Sequence, residues 1–293
     1  MTLPEVPHGF YHPWSCAEAE VFIPGGARPL DALRKTTHLG IGAHADDLEI
    51  MAYHGILAGL ATGDRSFTGV TMTDGRSSAR AQAYAAYSDQ QMADTRLCEQ
   101  RKAATVGHYG AMVQLQHASR AVQTVDDVAV AHDLDILLSL MKPDVVYTHN
   151  LADKHDTHVA VALRVIAALR RLPASARPTQ LIGCEVWRDL DWLVDADKIA
   201  MPVDGEDELE AALLASFDSQ IAGGKRYDLA ARGRRRAHAT FFESRATDDC
   251  SALIFGMDLT PLLRDASLEP RALLDAHLAR FADDVRARID KLR

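Results

Sequence analysis

The amino-acid sequence predicts an α/β fold with a doubly wound, mostly parallel sheet, helices on both faces, and a C-terminal α+β extension. Three observations predict it. Short apolar runs with β-branched residues alternate with longer stretches of helical spacing, those stretches end at glycine or proline, and 293 residues suffice for a sizeable core. Strands that alternate with helices in this way are typical of βαβ units.

The predicted elements fall into three consecutive segments. Residues 1–36, rich in proline and glycine, are interpreted as an irregular lead-in with one short strand in AEVFI. Residues 37–190 form the predicted Rossmann-like core, with strands at 37–44, 66–75, 111–116, 144–149 and 179–187 and helices at 47–63, 88–107, 124–143 and 157–172. Residues 191–293 form the extension, with a strand pair (KIAMPV and SALIFGM), helices near 207–243 and a terminal helix near 267–292. We expect the extension to pack on the core as one structural domain.

Composition and charge narrow the classes of partner. The net charge of −9 argues against nucleic acid, because phosphates require a basic face. The basic run ARGRRRAHA (231–239) is interpreted as the solvated face of a helix, with a contact for an acidic partner or substrate as the alternative. Four scattered cysteines without a C-x-x-C pair argue against a zinc ribbon and a disulfide framework. No leader pattern or membrane-length apolar run is visible, so we expect a cytoplasmic protein.

Histidines and carboxylates gather at the ends of two predicted strands. His44, Asp46 and Asp47 stand at the end of the first core strand, and a second group follows the strand DVVYTH: His149, Asn150, Asp153, His155 and His158. Ligands bind beyond the carboxyl ends of the strands in open parallel sheets, so both groups meet at one edge. Imidazole and carboxylate suit Zn²⁺, and two histidines plus one carboxylate with an open position is a catalytic pattern. One aspartate can then bind the metal while its neighbour handles a proton.

Plainer interpretations exist for the same residues. Asp46 and Asp47 also suit a helix N-cap and first turn. GIGAHA fits G-x-G-x-x-A, but the two aspartates stand where a pyrophosphate needs bare N–H groups, so a dinucleotide site is disfavoured. H-E-x-x-H, G-x-S-x-G and P-loop motifs are absent from the sequence. In GRSSA, the expected use of Arg76, Ser77 and Ser78 is a turn contact to substrate.

The segment EVWRDLDWL holds candidate contacts to a sugar. Trp187 and Trp192 could stack on a pyranose face, with Arg188 and Asp189 binding hydroxyl groups. Core packing is the expected use of at least one of the two tryptophans.

Four segments resemble one known family. AHADDLE (43–49) resembles the AHPDDE signature of the LmbE-like (PIG-L) zinc deacetylases, and HDTH (155–158) resembles their H-P-D-H motif. VTMTDG (70–75) and RLCEQRKAATVG (96–107) are similar to two further stretches of that family, in matching order and spacing. The resemblance implies the doubly wound fold and the removal of acyl groups from aminosugars.

The resemblance also implies roles for the matched residues. Zn²⁺, with another divalent metal as the alternative, would be held by three ligands: His44, Asp47 and His158. Asp46 would be the general base. His155 would stabilise the oxyanion or protonate the leaving amine.

Other positions match the family less closely. Arg96 matches an arginine that contacts substrate in some members, and Asp153 is expected to orient a catalytic histidine or to contact substrate. Ala45 replaces the motif proline, and Thr157 replaces the motif aspartate just before His158. Because of this second change, position 157 cannot supply a carboxylate to a proton relay. Asp156 or Asp153 would have to take that role.

The predicted function is a metal-dependent hydrolase that removes an N-acetyl or other acyl group from an aminosugar-containing small molecule by zinc-activated water. The alternative is a zinc amidase that acts on a thiol conjugate or another non-sugar amide. A non-catalytic binding protein is a third interpretation, but the residues proposed as ligands and base are all present. We expect a small-molecule glycoconjugate as partner, no nucleic acid and no membrane; family members commonly form homo-oligomers.

Overall fold

A computed structural model describes residues 14–61 and 63–293, so the first 13 residues of the lead-in lie outside the described residues. The described residues contain one sheet of eight strands: β1 (Glu20–Phe22), β2 (His38–Gly42), β3 (Phe67–Thr73), β4 (Ala111–His117), β5 (Val145–His149), β6 (Gln180–Cys184), β7 (Lys198–Pro202) and β8 (Leu253–Asp258). The short strand predicted in AEVFI and the five core strands are confirmed.

The strand order is β1-β4-β3-β2-β5-β6-β8-β7. The five central strands, β4 to β6 in that order, are parallel, whereas β1, β8 and β7 run antiparallel to their neighbours. The two strands of the extension pair with each other, as predicted, and β8 also pairs with β6 of the core. The extension therefore completes the sheet at one edge.

Helices follow the strands: α1 (Pro29–Arg34), α2 (Asp47–Met51), α3 (Tyr53–Ala61), α4 (Asp89–Val106), α5 (Ser119–Gln123), α6 (Val128–Leu140), α7 (Asp156–Arg171), α8 (Asp207–Leu214), α9 (Asp218–Ile221), α10 (Tyr227–Phe241), α11 (Pro261–Arg264) and α12 (Pro270–Lys291). They cover both faces of the sheet. Successive residues of β5 show this, because Val146 joins the cluster packed under α5, α6 and α7, and Tyr147 joins the cluster under α2, α3 and α4. The predicted doubly wound α/β architecture is confirmed.

The helix predicted at 47–63 is broken at Ala52 into α2 and α3. A distant side chain accompanies the break: the Arg235 guanidinium donates to the main-chain oxygens of Glu49 and Ile50 at 2.7 and 3.0 Å. Arg235 is 2% exposed and is paired with Glu210 at 2.6 Å. The interpretation of the basic run as a solvated face is therefore wrong for Arg235, which links α10 to the start of the core.

All four cysteines, at positions 16, 98, 184 and 250, are free. Within the described ranges, no helix combines the length and apolar character needed to cross a membrane.

Candidate metal centre and active-site cavity

The turn between β2 and α2 directs two adjacent carboxylates apart. Asp46 has a φ of 88°, a left-handed conformation that is uncommon outside glycine and is found where the surroundings over-determine the backbone, often at active sites. Asp47 begins α2, and its Oδ2 accepts the His44 N–H at 2.7 Å. Gly42 permits this tight turn, because a Cβ at that position would lie 3.0 Å from the Asp47 Cβ. Asp46 and Asp47 thus reach different partners.

His44, Asp47 and His158 bring their ligand atoms close together. His44 Nδ1 lies 3.2 Å from His158 Nε2 and 3.4 Å from Asp47 Oδ2, and His158 Nε2 lies 3.4 Å from Asp47 Oδ1. In a tetrahedral site with metal–ligand bonds of about 2.0–2.1 Å, ligand atoms are about 3.3 Å apart. Each histidine nitrogen therefore lies at about this distance from the other histidine and from one Asp47 oxygen, a different oxygen for each histidine.

The electrostatics of these side chains also suit a cation. Burial lowers the pKa of His158 to about 4, which keeps the imidazole neutral as a ligand must be. Burial would raise the pKa of Asp47, but the imidazoles of His158 and His149 outweigh it and hold that pKa well below its usual range. Asp47 therefore stays ionised. An ionised carboxylate beside two imidazoles forms a donor set that a divalent metal would satisfy.

Asp153 stands behind His158, on the side away from its Nε2 atom. Its Oδ1 lies 3.5 Å from His158 Nδ1, and both side chains are fully buried. Burial would raise the pKa of Asp153, but its contacts with His158 and with the His155 N–H outweigh it and lower the pKa to about 2. A carboxylate behind a ligating histidine fixes the tautomer and the direction of the ring.

Two further histidines lie close enough to compete as ligands. Within the described part of the chain, the groups that could hold a metal are His44–His155–His158 and Asp47–His149–His158. His149 Nε2 accepts the Ala43 N–H at 2.9 Å, so its lone pair is already used. His155 Nδ1 accepts the Thr157 N–H at 3.3 Å, which places the proton of the neutral ring on Nε2. Neither ring then offers a free lone pair to the metal.

Asp46 faces a buried arginine next to the metal centre. Its Oδ2 lies 3.1 Å from an Arg96 Nη2, and the same guanidinium contacts Glu99 and the Ala45 main-chain oxygen. Burial raises the pKa of Asp46 to about 6, while Arg96 acts in the opposite direction. Arg96 thus holds the aspartate that is proposed as the base. Of the three guanidinium nitrogens of Arg96, only Nε has no hydrogen-bond partner.

A second buried carboxylic acid, Glu49, is connected to the Asp46 backbone through hydrogen bonds. The Asp46 N–H donates to Gln100 Oε1 at 3.3 Å, and Gln100 Nε2 donates to Glu49 Oε1 at 2.8 Å. Tyr109 Oη donates to the same Glu49 oxygen at 2.6 Å. Burial raises the pKa of Glu49 to about 7. The buried chain of hydrogen bonds fixes the backbone at Asp46.

A cavity of about 360 Å³ opens above the metal centre. The core contributes two of the proposed ligands, the proposed base, two predicted turn residues and three other predicted site residues: His44, Asp47, Asp46, Ser77, Ser78, Arg96, His155 and Trp187. Helix α5 and the first turn of α7 also contribute Ser119, Gln123 and Thr157, and the extension contributes Gln220, Lys225 and Tyr227. Sequence reasoning missed this last group, because no motif marks it and only the folded extension brings it to the cavity.

Aromatic rings line one wall of the cavity. Trp187 is stacked with His155 at a centroid distance of 6.4 Å and meets Tyr227 edge-on at 6.0 Å. Lys225 Nζ lies 4.9 Å from the centre of the Trp187 ring. Trp192, the other candidate for stacking, packs instead against the core and the edge of Phe281. The expectation that one tryptophan is structural thus fits Trp192.

Three predicted substrate contacts lie off the cavity wall. Arg76 is paired with Asp74, and Arg188 is exposed. Asp153 is buried and accepts the Trp187 N–H at 3.1 Å, so it holds the wall in place without facing the cavity. We therefore leave Arg76, Arg188 and Asp153 out of the proposed substrate contacts. Asp153 and Asp156 are the two candidates to take the role of the motif aspartate, and of these Asp153 lies beside His158.

The site is a histidine–aspartate cluster under an open cavity at the carboxyl end of a parallel sheet, and its side chains could hold a metal ion. Residues 39–169 match the family model PIG-L: GlcNAc-PI de-N-acetylase. This part of the chain is therefore similar to that family, and the LmbE-like (PIG-L) resemblance predicted from the motifs is confirmed. No curated protein sequence matches the chain significantly.

Solved structures share the fold at low sequence identity. The N,N'-diacetylchitobiose deacetylase from Pyrococcus horikoshii has a TM-score of 0.61 and 16% identity, over 78% of this chain and 86% of that one. The conserved protein TT1542 from Thermus thermophilus has a TM-score of 0.57 and 17% identity, over 80% and 99%. GalB, the 4-carboxy-2-hydroxymuconate hydratase from Pseudomonas putida, has a TM-score of 0.55 and 13% identity, over 76% and 96%.

Proposed function

We propose that the protein is a metal-dependent hydrolase that removes an N-acyl group from an aminosugar-containing small molecule. One observation carries the proposal: His44 Nδ1 and His158 Nε2 lie 3.2 Å apart and each lies 3.4 Å from an oxygen of Asp47, with the separate carboxylate of Asp46 beside them on the cavity. The PIG-L match and the deacetylase among the structural neighbours support the reaction class. The aromatic wall at Trp187 supports a sugar as the leaving group.

The proposed ligands are His44, Asp47 and His158, with Zn²⁺ as the preferred metal because imidazole and carboxylate ligands suit it. When bound, the metal supplies Lewis-acid polarisation of the acyl carbonyl and of the attacking water. Asp153 orients His158 from behind.

The chain's own residues handle the protons. Asp46 takes a proton from the attacking water as the carbon–oxygen bond forms, and Arg96 keeps its carboxylate fixed. His155 offers Nε2–H to the carbonyl oxygen as that oxygen gains negative charge. Burial, and then the neighbouring His44, lower the pKa of His155, which favours a neutral hydrogen-bond donor. The proton on Asp46 then passes to the nitrogen as the amide bond breaks, giving a carboxylic acid and a free amine.

A substrate panel tests the proposal. We expect zinc-loaded protein to release acetate from N-acetylglucosamine or N,N'-diacetylchitobiose, to lose this activity on chelation, and to regain it with added Zn²⁺. N-acetylated amino acids and N-acetylated thiol conjugates are the controls, and activity on these alone would favour the non-sugar amidase. Since one neighbour is a hydratase, an unsaturated dicarboxylate is added to the panel. Loss of its double-bond absorbance without acetate release from any amide would overturn the hydrolase proposal.

A further inference from the structure

Helix α12 carries an apolar stripe that the rest of the described chain does not cover. Its first turns pack on the body, where Leu273 and Leu274 contact the core and His277 lies 3.1 Å from Asp197. Beyond this point Phe281 still meets the edge of Trp192, and most of the later residues of the helix are exposed. Four large apolar side chains of α12, together with Leu292 directly after its last residue, are 38–86% exposed: Leu278, Phe281, Val285, Ile289 and Leu292.

The five residues form a symmetrical pattern about Val285. Leu278 and Leu292 stand seven positions before and after it, and Phe281 and Ile289 stand four positions before and after it. At 3.6 residues per turn, all five fall within about 40° of one line along the helix, over a length of about 21 Å. Reversing the direction of the helix therefore places large apolar residues at the same five positions along the stripe.

We propose that this stripe is a docking surface for a second copy of the same chain, with the two α12 helices antiparallel and related by a twofold axis at Val285. Such an axis places Leu278 of one copy opposite Leu292 of the other, Phe281 opposite Ile289, and Val285 opposite itself. Twofold interfaces are self-complementary, which a stripe that reads the same in both directions satisfies with one set of residues.

The charges bordering the stripe favour this arrangement over a parallel one. In a parallel, in-register pair of helices, the heptad pattern that runs from Leu274 through Val285 continues to Arg288. Arg288 of one copy would then face Arg288 of the other in the seam, where like charges repel. In the antiparallel pair, Ile289 occupies the seam and Arg288 borders it. Asp284 of the other copy then lies about 3 Å away along the axis, by the 1.5 Å rise per residue. Asp284 already pairs with Arg288 within one chain at 2.8 Å, so opposite charges alternate along this border.

The same charges distinguish this surface from a lipid-binding helix. Interfacial helices have polar faces rich in lysine and arginine, whereas acidic Asp283 and Asp284 stand next to the centre of this stripe. No residue of α12 lines the cavity. The proposal is therefore independent of the proposed function.

Sedimentation equilibrium on the full-length, metal-loaded chain tests the pairing. We expect a dimer whose dissociation constant rises on the order of 100-fold or more in Val285→Asp, because two carboxylates would meet at the axis. Ala287→Asp, which adds the same charge on the opposite side of the helix, should leave the dimer intact. A wild-type monomer at high micromolar concentration, or a dimer that Val285→Asp does not weaken, would overturn the proposal.

Disulfide trapping tests the direction of the helices. In a Cys98→Ser background, which removes the exposed native thiol, Val285→Cys should cross-link two copies on mild oxidation. The matched variant Ile289→Cys should not, because Phe281 faces it. Cross-linking of both variants would indicate parallel helices, and binding of the wild type to anionic vesicles without dimerisation would assign the stripe to lipid; either result contradicts the antiparallel pair.

Discussion

The carboxyl ends of β2 and β4 each lead into a cluster of histidine and aspartate, and the two clusters are connected differently. In the first, His44 Nδ1 and His158 Nε2 lie 3.2 Å apart, and each lies 3.4 Å from an oxygen of Asp47. In the second, His117 lies between two partners: its Nδ1 is 3.4 Å from Cys16 Sγ, and its Nε2 is 2.9 Å from Asp133 Oδ2.

The second cluster is a linear chain, whereas the first converges. His117 contacts Cys16 and Asp133 through nitrogens on opposite edges of its ring, so these two side chains do not face one position where a metal ion could bind both. Asp133 also accepts hydrogen bonds from the N–H and the hydroxyl of Ser15. Burial, and then Asp133, raise the pKa of Cys16 to about 11, so its thiol stays protonated. The difference teaches that ligand-type residues make a metal centre only when their free lone pairs converge.

The largest expected effect separates the two clusters by metal content. His158→Ala removes one of three proposed ligands and should reduce bound zinc from one per chain to almost none, with loss of activity. His117→Ala, the matched change in the second cluster, should keep the zinc. Elemental analysis of both purified proteins gives the answer. Full zinc in His158→Ala, with the fold verified by circular dichroism, would refute the ligand assignment.

A smaller effect separates the two adjacent aspartates of the first cluster. Asp46→Asn keeps the size of the side chain and the proposed ligands but removes the proton acceptor, so activity should fall about 10²–10⁴-fold. Bound zinc should be unchanged, unlike in Asp47→Asn. Acetate release and metal content are measured on the same samples. If Asp46→Asn is fully active, Asp46 is not the base.

The support behind His158 should have a more modest effect. Asp153→Asn removes the charge behind the ring without removing a ligand, so zinc affinity should weaken about 10–100-fold. Competition with a chelator of known affinity measures this change. Asp156→Asn, an exposed residue two positions before His158, is the control and should be silent. Equal zinc affinity for Asp153→Asn and the wild type would show that Asp153 only holds the loop.

The smallest effect concerns the buried acid Glu49, whose carboxyl is hydrogen-bonded to Gln100 and Tyr109. Burial raises the pKa of Glu49 from 4.5 to about 7, so the folded state holds the proton more tightly than the unfolded chain. Its contribution to the free energy of unfolding is complete below pH 4.5 and is lost as the pH rises through about 7, by at most about 3 kcal/mol.

Glu49→Gln cannot ionise and should remove this pH dependence. Urea unfolding at about pH 5 and about pH 7.5 should show the variant gaining stability relative to wild type at the higher pH. A constant difference between the two proteins at both pH values would show that Glu49 does not titrate in this range.

The strands and the meeting of the two histidine–aspartate groups at one edge could be predicted because both depend on short-range patterns, whereas the choice of His44, Asp47 and His158 within those groups came from the resemblance to the LmbE-like family. Apolar runs mark buried strands, and parallel strands bring their carboxyl ends to one edge whatever the loops contain. The break at Ala52 could not be predicted, since its partner Arg235 lies far away in the sequence. Lys225 and its neighbours were missed for the same reason, because only tertiary packing brings the extension to the cavity.

Arg235 also sets the order in which the protein can be completed. Its guanidinium bonds to main-chain oxygens 185 and 186 residues earlier, at the end of the short helix that begins with Asp47. During synthesis, the motif AHADDLE emerges long before this partner exists. A nascent chain that has displayed every proposed ligand still lacks the arginine that satisfies those carbonyls. The contact that joins α10 to the start of the core can therefore form only after 235 of the 293 residues have been made.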